Sequence, residues 1–316
     1  MKLIIQIPCF NEESTLPETI KDLPRKIEGI DEIEFLIIDD GSTDRTIEVA
    51  KELGVEHIVR NKINLGLART FRKGIDECLK RGADIIVNTD GDNQYYGGDI
   101  AKLVKPIVDE TAELVVGDRQ TSKISHFSFF KKMLQKLGSA TVRKLSDTDV
   151  PDTVSGFRAF SREAAIRLNI ISPFSYTIET IIQAGKKHLA ITSVPVRTNP
   201  KTRDSRLFKS IPAFIERQLS SMIRMYLMYQ PLRFFVYLGL LLTVVGLVPV
   251  VRFLFFYYLG DGAGHIQSLI LGSIFLLMGF ITFVMAILAD LMNFNRHLLE
   301  NTLERVRRIE FGDHKK

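Results

Sequence analysis

The chain has 316 residues, of which 46% are hydrophobic and 25% are charged, and its formal net charge is +5 at pH 7. This length is enough for one domain of roughly 200 residues with an appendage, and the composition is that of an ordinary globular protein. The spacing of the two cysteines, Cys9 and Cys78, excludes a cysteine-based metal or redox motif, so we expect reduced structural thiols.

Short apolar runs alternate with helix-like stretches through the N-terminal part of the chain. Strands are predicted at Leu3–Ile7, Phe35–Ile38, His57–Val59, Ile85–Val87, Leu114–Val116 and Ala190–Val196. Helices are predicted at Leu16–Ile27, Thr43–Leu53, Leu67–Lys80 and Asp99–Val108. Such alternation is typical of a parallel sheet with helices on both faces. No G-x-G-x-x-G sequence follows the first strand, which disfavours dinucleotide binding.

Polar clusters follow the predicted strands at their carboxyl ends, where function concentrates in such sheets. The clusters are Asn11-Glu12, Asp39-Asp40 and Asp90-Gly91-Asp92. Asp90 and Asp92 are spaced to reach one divalent ion, and Mg²⁺ or Mn²⁺ held there would neutralise charge developing on a nucleotide diphosphate leaving group. Asp39 and Asp40 are suited to hydrogen-bond a ribose or a base. A D-x-D pair alone is a weak signal, and the ordered combination is much stronger.

Two basic amphipathic stretches follow, at Ser125–Ser146 and Ser205–Tyr229. On a soluble protein both would be ordinary surface helices. The second directly precedes long uncharged runs, so we expect it to lie in the headgroup layer of a membrane. The stretch Leu298–Ile309 is compatible with a third such helix or with a homo-oligomer contact, and the sequence leaves both open.

Two long uncharged runs, Phe234–Val251 and Ile266–Ala289, lie near the C-terminus. A helix needs about 20 predominantly apolar residues to cross a bilayer, so these runs predict a transmembrane hairpin. The predicted segments are a catalytic domain at 1–204, juxtamembrane amphipathic helices at 205–231, a hairpin at 232–292 with spans at about 234–256 and 266–289, and a basic tail at 293–316.

Most basic residues near the predicted hairpin lie at its two outer ends, and Arg252, near the turn end of the first span, is interpreted as an interfacial arginine that extends to the membrane surface. The flanking arginines are Arg224, Arg233, Arg296, Arg305, Arg307 and Arg308. The connecting turn, Gly260–His265, contains no lysine or arginine. The excess of basic residues on the cytosolic side of membrane proteins therefore predicts that the catalytic domain and both termini are cytosolic.

Six motifs occur in the order and at the spacing of a known enzyme family. They are Pro8-Cys9-Phe10-Asn11-Glu12, Asp39-Asp40-Gly41-Ser42-Thr43-Asp44, Asn64-Leu65-Gly66-Leu67-Ala68 with Gly74, Asp90-Gly91-Asp92-Asn93-Gln94, Gly117-Asp118-Arg119 and Ser155-Gly156-Phe157-Arg158. With them the chain resembles family 2 glycosyltransferases of the GT-A fold, in the branch similar to dolichyl-phosphate mannose synthase. The resemblance extends to about Arg206. It implies a Rossmann-like mixed, mostly parallel sheet with helices on both faces, and a polyprenyl phosphate acceptor.

The resemblance also implies a function for each matching residue. The nucleotide pocket would be lined by Pro8, Asn11, Glu12, Asp39, Asp40 and Asp90. The metal and the donor diphosphate would be held by Asp90, Asp92 and Gln94. The acceptor phosphate would be contacted by Arg119, Ser155 and Arg158, and the diphosphate by Arg203 and Lys209. For Arg119 and Arg158, structural pairing with the acidic site is the alternative.

The candidate catalytic residues are Asp92, Arg119, Arg158 and Glu179. Soluble relatives deprotonate a sugar hydroxyl with a carboxylate, and Glu179 is the positional candidate for this base. A phosphate monoester has a second pKa near ~6 and is mostly dianionic at neutral pH, so a phosphate acceptor needs no base. Positioning by cations and stabilisation of the leaving group should then supply most of the rate. We therefore expect Glu179 to orient the sugar or the phosphate.

The expected reaction is metal-dependent transfer of a hexose or N-acetylhexosamine from a nucleotide diphosphate sugar to dolichyl or undecaprenyl phosphate, with inversion implied by the resemblance. The cofactor would be Mg²⁺ or Mn²⁺, a UDP-sugar is slightly favoured over GDP-mannose, and no nucleic acid partner is expected. Alternatives are another membrane lipid acceptor such as diacylglycerol, and a non-catalytic sensor of nucleotide-sugars. A processive polysaccharide synthase is excluded, because such enzymes need a Gln-x-x-Arg-Trp motif and this chain has no tryptophan.

Overall fold

The computed structural model describes residues 1–120, 138–143, 145–170, 176–200, 220, 223–224, 226–260 and 262–312. The chain divides into two compact units, Met1–Met222 with Glu304–Lys316, and Ile223–Leu303. The predicted segment boundary at residue 204 stays a prediction, because residues 201–219 lie outside the described part of the chain.

Strands and helices alternate along the first unit. Its described strands are β1 (Lys2–Cys9), β2 (Glu32–Asp39), β3 (His57–Arg60), β4 (Ile85–Asn88), β5 (Leu114–Asp118), β6 (Arg158–Ser161) and β7 (Ile191–Pro195). Its described helices are α1 (Leu16–Asp22), α2 (Thr46–Glu52), α3 (Leu67–Lys80), α4 (Ile100–Val108), α5 (Arg162–Arg167) and α6 (Tyr176–Lys186). Residues 138–143 and 145–146 are also helical.

The described strands form one seven-stranded sheet in the order β3-β2-β1-β4-β6-β5-β7. Its neighbouring pairs are parallel except those of β6, which runs antiparallel to both β4 and β5. This mixed, mostly parallel sheet confirms the predicted fold class. The carboxyl ends of β2, β1 and β4 are adjacent, with Cys9 paired to Asp39 and Gln6 to Asn88. The three polar clusters therefore leave the sheet at one edge.

The central strands are buried on both faces, as expected for parallel strands covered by helices. In β1, consecutive residues such as Leu3, Ile4 and Ile5 are fully buried. Phe71 of α3 contacts Phe160 of β6 edge-on and stacks on Tyr176, with ring centroids 4.0 Å apart in the stacked pair. This packing fixes the first residue of α6 against the sheet.

Helices α1 and α2 differ from their predicted bounds, and strand β6 was not predicted, each for a local reason. Helix α1 ends at Asp22 rather than Ile27, because Leu23 is extended (φ −74°, ψ 137°) and precedes a proline, which disfavours helical backbone. Helix α2 begins at Thr46 rather than Thr43, since the Asp44 carboxylate accepts the Thr46 N–H at 3.0 Å. Strand β6 has only four residues, too few for a periodic pattern to predict it.

The residues from Glu304 onwards belong to the first unit and pack against the rest of it. Arg307 is buried and donates to the carbonyls of Ile166 at 3.2 Å and Leu168 at 2.7 Å. The same guanidinium pairs with Asp76 of α3. This end of the predicted basic tail therefore contacts its own chain.

The second unit contains two long helices, α7 (Pro231–Tyr258) and α8 (Ile266–Phe311), although the last residues of α8 belong to the first unit. Both are long and apolar enough to cross a membrane, with a mean hydropathy of 2.5 over the most apolar stretch of each. The predicted spans, 234–256 and 266–289, lie inside these helices.

Helices α7 and α8 approach each other closely at two glycines. A Cβ added to Gly246 would lie 2.9 Å from the Leu276 nitrogen, and one added to Gly272 would lie 2.7 Å from the Gly246 carbonyl. Small residues allow the backbones of membrane helices to pack at such distances. A larger side chain at either position would therefore push the two helices apart.

Candidate active site

The loop after β1 is joined to the loop after β2 through Asn11. This residue has a positive φ of 55°, which asparagine tolerates better than most residues. Its backbone N–H donates to Ser42 Oγ at 2.9 Å, and its side-chain oxygen accepts the Thr43 N–H at 2.8 Å. The first two motifs therefore form one connected edge of the site.

Glu12 links the first motif to the loop that carries the D-x-D pair. Its backbone N–H donates to Thr46 Oγ1 at 2.8 Å, and its side chain is buried. The Thr15 hydroxyl lies 2.8 Å from both Glu12 Oε2 and the Gly91 carbonyl, and can donate to either. Two motifs that are distant in sequence are thus held together by a threonine that the motif analysis did not single out.

Asp39 and Asp40 end β2 but serve different loops. Asp39 is fully buried, and its two carboxylate oxygens accept the Ser42 N–H at 3.3 and 3.2 Å. Asp40 accepts the N–H groups of Leu65 at 2.8 Å and Gly66 at 2.9 Å, one on each oxygen. The Asp40 carboxylate therefore fixes the loop that opens α3. Its predicted contact with the nucleotide stays a prediction.

The D-x-D-x-Q loop presents carboxylate and amide oxygens. Gln94 Nε2 donates to Asp92 Oδ2 at 2.8 Å, and the Gln94 backbone N–H donates to Asp92 Oδ1 at 3.3 Å. These bonds fix the Asp92 carboxylate in one orientation. Gln94 is the donor in both bonds, so its side-chain oxygen takes no part in holding Asp92.

This donor set suits Mg²⁺ or Mn²⁺. Among the described residues, no group of three or more His, Cys, Asp or Glu side chains is placed to hold a metal ion. Mg²⁺ does not require such a cage, because it is usually bound by one or two carboxylates together with substrate phosphates. Asp90, Asp92 and the amide oxygen of Gln94 therefore fit a metal that is completed by the donor diphosphate.

Gly156 closes the site on the side of β4. A Cβ added to it would lie 2.7 Å from the Tyr176 hydroxyl and 3.2 Å from Asp90 Oδ2, so a side chain there would displace both groups. Its carbonyl accepts from Asn88 Nδ2 at 2.9 Å. Its backbone N–H donates to the Tyr95 hydroxyl at 3.0 Å. The fourth and sixth motifs are therefore in direct contact.

Tyr95 is a site residue that the sequence did not reveal. Its ring is buried and stacks on Phe157 with the centroids 4.9 Å apart. Burial raises the pKa of its hydroxyl; the Arg119 charge opposes this increase and the Asp90 charge adds to it, so the phenol stays neutral at physiological pH. In a single sequence, an aromatic residue after Gln94 is indistinguishable from an ordinary core residue.

Arg119 is paired with Asp152, an acidic residue that is not part of the clusters at the strand ends. Its Nε and Nη2 donate to the two carboxylate oxygens at 2.7 and 3.0 Å. Burial alone would lower the pKa of Arg119, but the nearby Tyr95 and Asp152 outweigh it and hold this pKa above its usual range. The Arg119 side chain as a whole remains 18% exposed. Its contact with an acceptor phosphate stays a prediction.

Arg158 lies in a different environment from the one expected of a phosphate ligand. It is fully buried, and its guanidinium donates to the carbonyls of Ser155 at 2.8 Å, Thr177 at 2.7 Å and Thr153 at 2.9 Å. It also bonds to the Thr180 hydroxyl. Burial lowers the pKa of Arg158 to about 10, which leaves it charged at neutral pH. Arg158 Nε and Nη2 thus bond to the loop before β6, and Nη1 bonds to α6, so the guanidinium connects the two.

The other expected site residues are distributed unevenly. Ser155 is fully buried, and its hydroxyl has no hydrogen-bond partner in the described part of the chain. Pro8 lies near the carboxyl end of β1, as expected of the nucleotide pocket. Glu179 is fully buried in the first turn of α6, where Gln183 Nε2 donates to it at 3.3 Å. Arg203 and Lys209 lie outside the described residues.

The segment that follows β7 is bonded to the D-x-D-x-Q loop, which the sequence also did not reveal. The Asn199 backbone N–H donates to the Gln94 carbonyl at 2.9 Å, and Asn199 Nδ2 donates to the Asn93 carbonyl at 3.1 Å. The Tyr96 backbone N–H donates to the Arg197 carbonyl at 3.3 Å. The D-x-D-x-Q loop is therefore hydrogen-bonded to the segment that leads towards residue 201.

Asp99 fixes the same segment through a buried carboxylate. Its oxygens accept the Arg197 backbone N–H at 2.7 Å and Arg197 Nη2 at 2.8 Å, and Lys102 Nζ lies 2.9 Å away. Burial opposes ionisation of this carboxyl, but the hydrogen bonds from Arg197 and then Lys102 outweigh it and lower its pKa from 3.8 to about 2.

Asp99→Asn should therefore lower stability in a pH-dependent manner. Because the folded-state pKa is below the unfolded-state value, the stabilisation is present above about pH 4 and is lost as the pH falls towards 2. We expect the variant to be less stable than wild type by about 2 kcal/mol at pH 7, with the difference shrinking between pH 4 and 2. Thermal unfolding at several pH values measures it. Asp109→Asn, which removes an exposed partner of Lys105, is the control and should change little.

The sequence model of a family described as "Glycosyl transferase family 2" matches residues 4–168. The chain is 30% identical over 220 residues to UDP-N-acetylglucosamine–dolichyl-phosphate N-acetylglucosaminyltransferase from Methanococcus voltae, covering 61% of this chain and 83% of that protein. It is 28% identical over 227 residues to dolichol-phosphate mannosyltransferase from Pyrococcus furiosus, covering 68% of this chain and 61% of that protein.

A solved structure with the same fold is glucosyl-3-phosphoglycerate synthase from Mycobacterium tuberculosis, in complex with Mn²⁺, UDP and phosphoglyceric acid. The TM-score is 0.54 at 20% sequence identity, and the alignment covers 70% of this chain and 78% of that one. At this identity the likeness establishes the fold, which is the GT-A arrangement that the motifs implied.

Proposed function

The chain belongs to glycosyl transferase family 2, and we propose from this premise that it transfers a hexose or N-acetylhexosamine from a nucleotide diphosphate sugar to a polyprenyl phosphate. The supporting observation is the similarity, over some 200 residues, to two transferases whose names specify dolichyl phosphate acceptors. The geometry agrees with this reaction, because the ends of β1, β2 and β4 carry the polar clusters to one edge of the sheet.

The residues at this edge would have different roles in the proposed reaction. Asp90, Asp92 and Gln94 would hold Mg²⁺ or Mn²⁺. The bound metal would neutralise charge on the departing diphosphate. Asp39, at the end of β2, would contact the nucleotide. Arg119, fixed by Asp152, would attract and orient the acceptor phosphate. The dianionic phosphate is itself the nucleophile, so no proton needs to be removed.

The donor and the lipid are tested by one assay. Purified full-length protein with Mn²⁺ is offered a panel of UDP- and GDP-sugars with dolichyl phosphate, undecaprenyl phosphate or diacylglycerol, and lipid products are identified by mass spectrometry. We expect a product with a polyprenyl phosphate and one class of donor, with a UDP-sugar slightly favoured over GDP-mannose. A product with diacylglycerol alone, or donor binding without any product, would overturn the proposed acceptor or the proposed catalysis respectively.

The two apolar helices, together with relatives that act on membrane lipids, indicate a membrane protein. We place the catalytic unit and both termini in the cytosol, where nucleotide-sugars are made available. This assignment depends on the arginines that flank the hairpin and on the absence of basic residues from its turn.

Cysteine labelling in intact cells tests this topology. A membrane-impermeant maleimide should label Gly262→Cys but not Lys316→Cys, and permeabilised cells should label both. Cys9 and Cys78 are free and buried, so the wild-type protein provides a low background. The reverse pattern of labelling would place the site in the wrong compartment.

A further inference from the structure

One face of α8 carries a polar cluster beyond its apolar stretch. Asn293, Arg296 and Glu300 are spaced three and four residues apart, so they lie on one side of the helix. The Arg296 guanidinium carbon lies 4.1 Å from the centre of the Tyr229 ring. These residues all belong to the second unit. The proposed transfer reaction uses none of them.

The cluster contains both donors and acceptors that lack hydrogen bonds. All three nitrogens of the Arg296 guanidinium are buried without a hydrogen-bond partner among the described residues. Glu300 Oε1 and Asn293 Oδ1 are also buried without a hydrogen-bond partner among the described residues. Glu300 Oε1 lies 3.4 Å from Arg296 Nε, close enough for an ion pair. A buried charged group without hydrogen bonds is costly, so a ligand or ordered water is needed to satisfy it.

The position of the cluster along α8 points to a lipid headgroup. The uncharged run ends at Ala289. A helix rises about 1.5 Å per residue, so Asn293 and Arg296 lie about 6 and 10 Å beyond that end. The polar layer on each side of a bilayer is about 5–8 Å thick, so the Asn293 backbone falls within it, and the Arg296 side chain, which leans back towards the helix N-terminus, reaches it from just beyond. Apart from the Glu300 carboxylate, the phosphates of membrane lipids are therefore the anions that we expect near Arg296.

We propose that this cluster binds the headgroup of a phospholipid that carries a primary amine. The lipid phosphate accepts hydrogen bonds from Arg296, and the ammonium group donates to Glu300 Oε1 and Asn293 Oδ1. The charges of Arg296 and Glu300 sum to zero, which matches a zwitterionic headgroup. A dianionic phosphate monoester would lie beside the Glu300 carboxylate and be repelled by it, so the polyprenyl phosphate acceptor is the poorer fit.

Lipid binding to the full-length protein in detergent tests the assignment. Thermal stabilisation by phosphatidylethanolamine, phosphatidylcholine and phosphatidylglycerol is titrated for each variant. We expect the ethanolamine lipid to bind about tenfold more tightly than the choline lipid, since a quaternary ammonium cannot donate hydrogen bonds. Glu300→Gln should lose this preference, and Arg296→Ala should weaken binding of all three lipids. Arg305→Ala, which removes an exposed arginine from the same helix, should leave the affinities for all three lipids unchanged.

Three results would overturn the proposal. Equal affinities for the ethanolamine and choline lipids would show that Glu300 Oε1 and Asn293 Oδ1 do not accept hydrogen bonds from the lipid amine. Unchanged lipid binding in Arg296→Ala would show that water alone fills the cluster. Displacement of the lipid by polyprenyl phosphate would make the cluster part of the acceptor site. If Arg296→Ala does not fold, Arg296→Lys keeps the charge but loses the forked geometry, and should show intermediate binding. None of these outcomes depends on which reaction the catalytic unit performs.

Discussion

Asp92→Ala is expected to lower the rate of lipid-linked sugar formation by about a thousandfold, because the variant loses a carboxylate that would help to neutralise the leaving group. Asp92 is only partly buried, so shortening its side chain removes little packing from the core. Its removal should therefore leave the fold intact. Single-turnover formation of the product measures the effect, and circular dichroism checks the fold.

Chelation and a matched variant separate the metal from general effects of lost charge. EDTA should abolish activity of the wild type, and added Mn²⁺ should restore it. Asp109→Ala removes a carboxylate that is 45% exposed and pairs with Lys105, so it should retain full activity. Turnover that persists in Asp92→Ala or in EDTA would remove the proposed mechanism, even if the sugar and the lipid are correctly assigned.

The sequence predicts the framework of the fold because its signals are local. Apolar runs such as Leu3–Ile7 are followed by helical periodicity, and this alternation is enough to predict a mostly parallel sheet. Strand β6 carries no such signal, since it has four residues and owes its antiparallel position to contacts with β4 and β5. A strand of this kind is defined by its neighbours and not by its own sequence.

In the candidate site, too, the sequence predicts features that depend on neighbouring residues and not those that depend on residues distant in the chain. Acidic residues at strand ends were predicted, because the end of a strand can be located from the sequence. The partners that fix them were not, since Thr15, Tyr95 and Asn199 contact the D-x-D-x-Q loop or its surroundings from unrelated positions. Polar or aromatic residues at such positions are common, and only their contacts in the folded chain distinguish them.

The two arginines of the later motifs illustrate how burial separates residues that a motif treats alike. Arg119 is 18% exposed and carries a bidentate ion pair with Asp152. Arg158 is fully buried, and its donors are used by backbone carbonyls on both sides of it. We therefore expect substitutions at the two positions to have different consequences.

Arg119→Ala should raise the KM for polyprenyl phosphate, or lower kcat, by about tenfold to a hundredfold, since a charge-assisted contact with phosphate is worth about 1.5–3 kcal/mol. Donor affinity in the absence of lipid should change little. Arg119→Lys should rescue only part of the loss, because an ammonium group cannot reproduce the two-pronged geometry of the guanidinium. Asp152→Asn, which weakens the ion pair but keeps the Arg119 charge, is the control and should have a smaller effect on KM.

Arg158→Ala should instead destabilise the catalytic unit. It leaves the carbonyls of Thr153, Ser155 and Thr177 without their donor, and each buried unsatisfied group costs about 1–3 kcal/mol. Such a loss is a large part of the 5–15 kcal/mol, roughly, that stabilises a folded domain. Thermal unfolding and calorimetry of nucleotide-sugar binding with Mn²⁺ distinguish the two effects. If Arg158→Ala unfolds like wild type, keeps donor binding and raises only the KM for the lipid, then Arg158 contacts the acceptor phosphate as its motif implied.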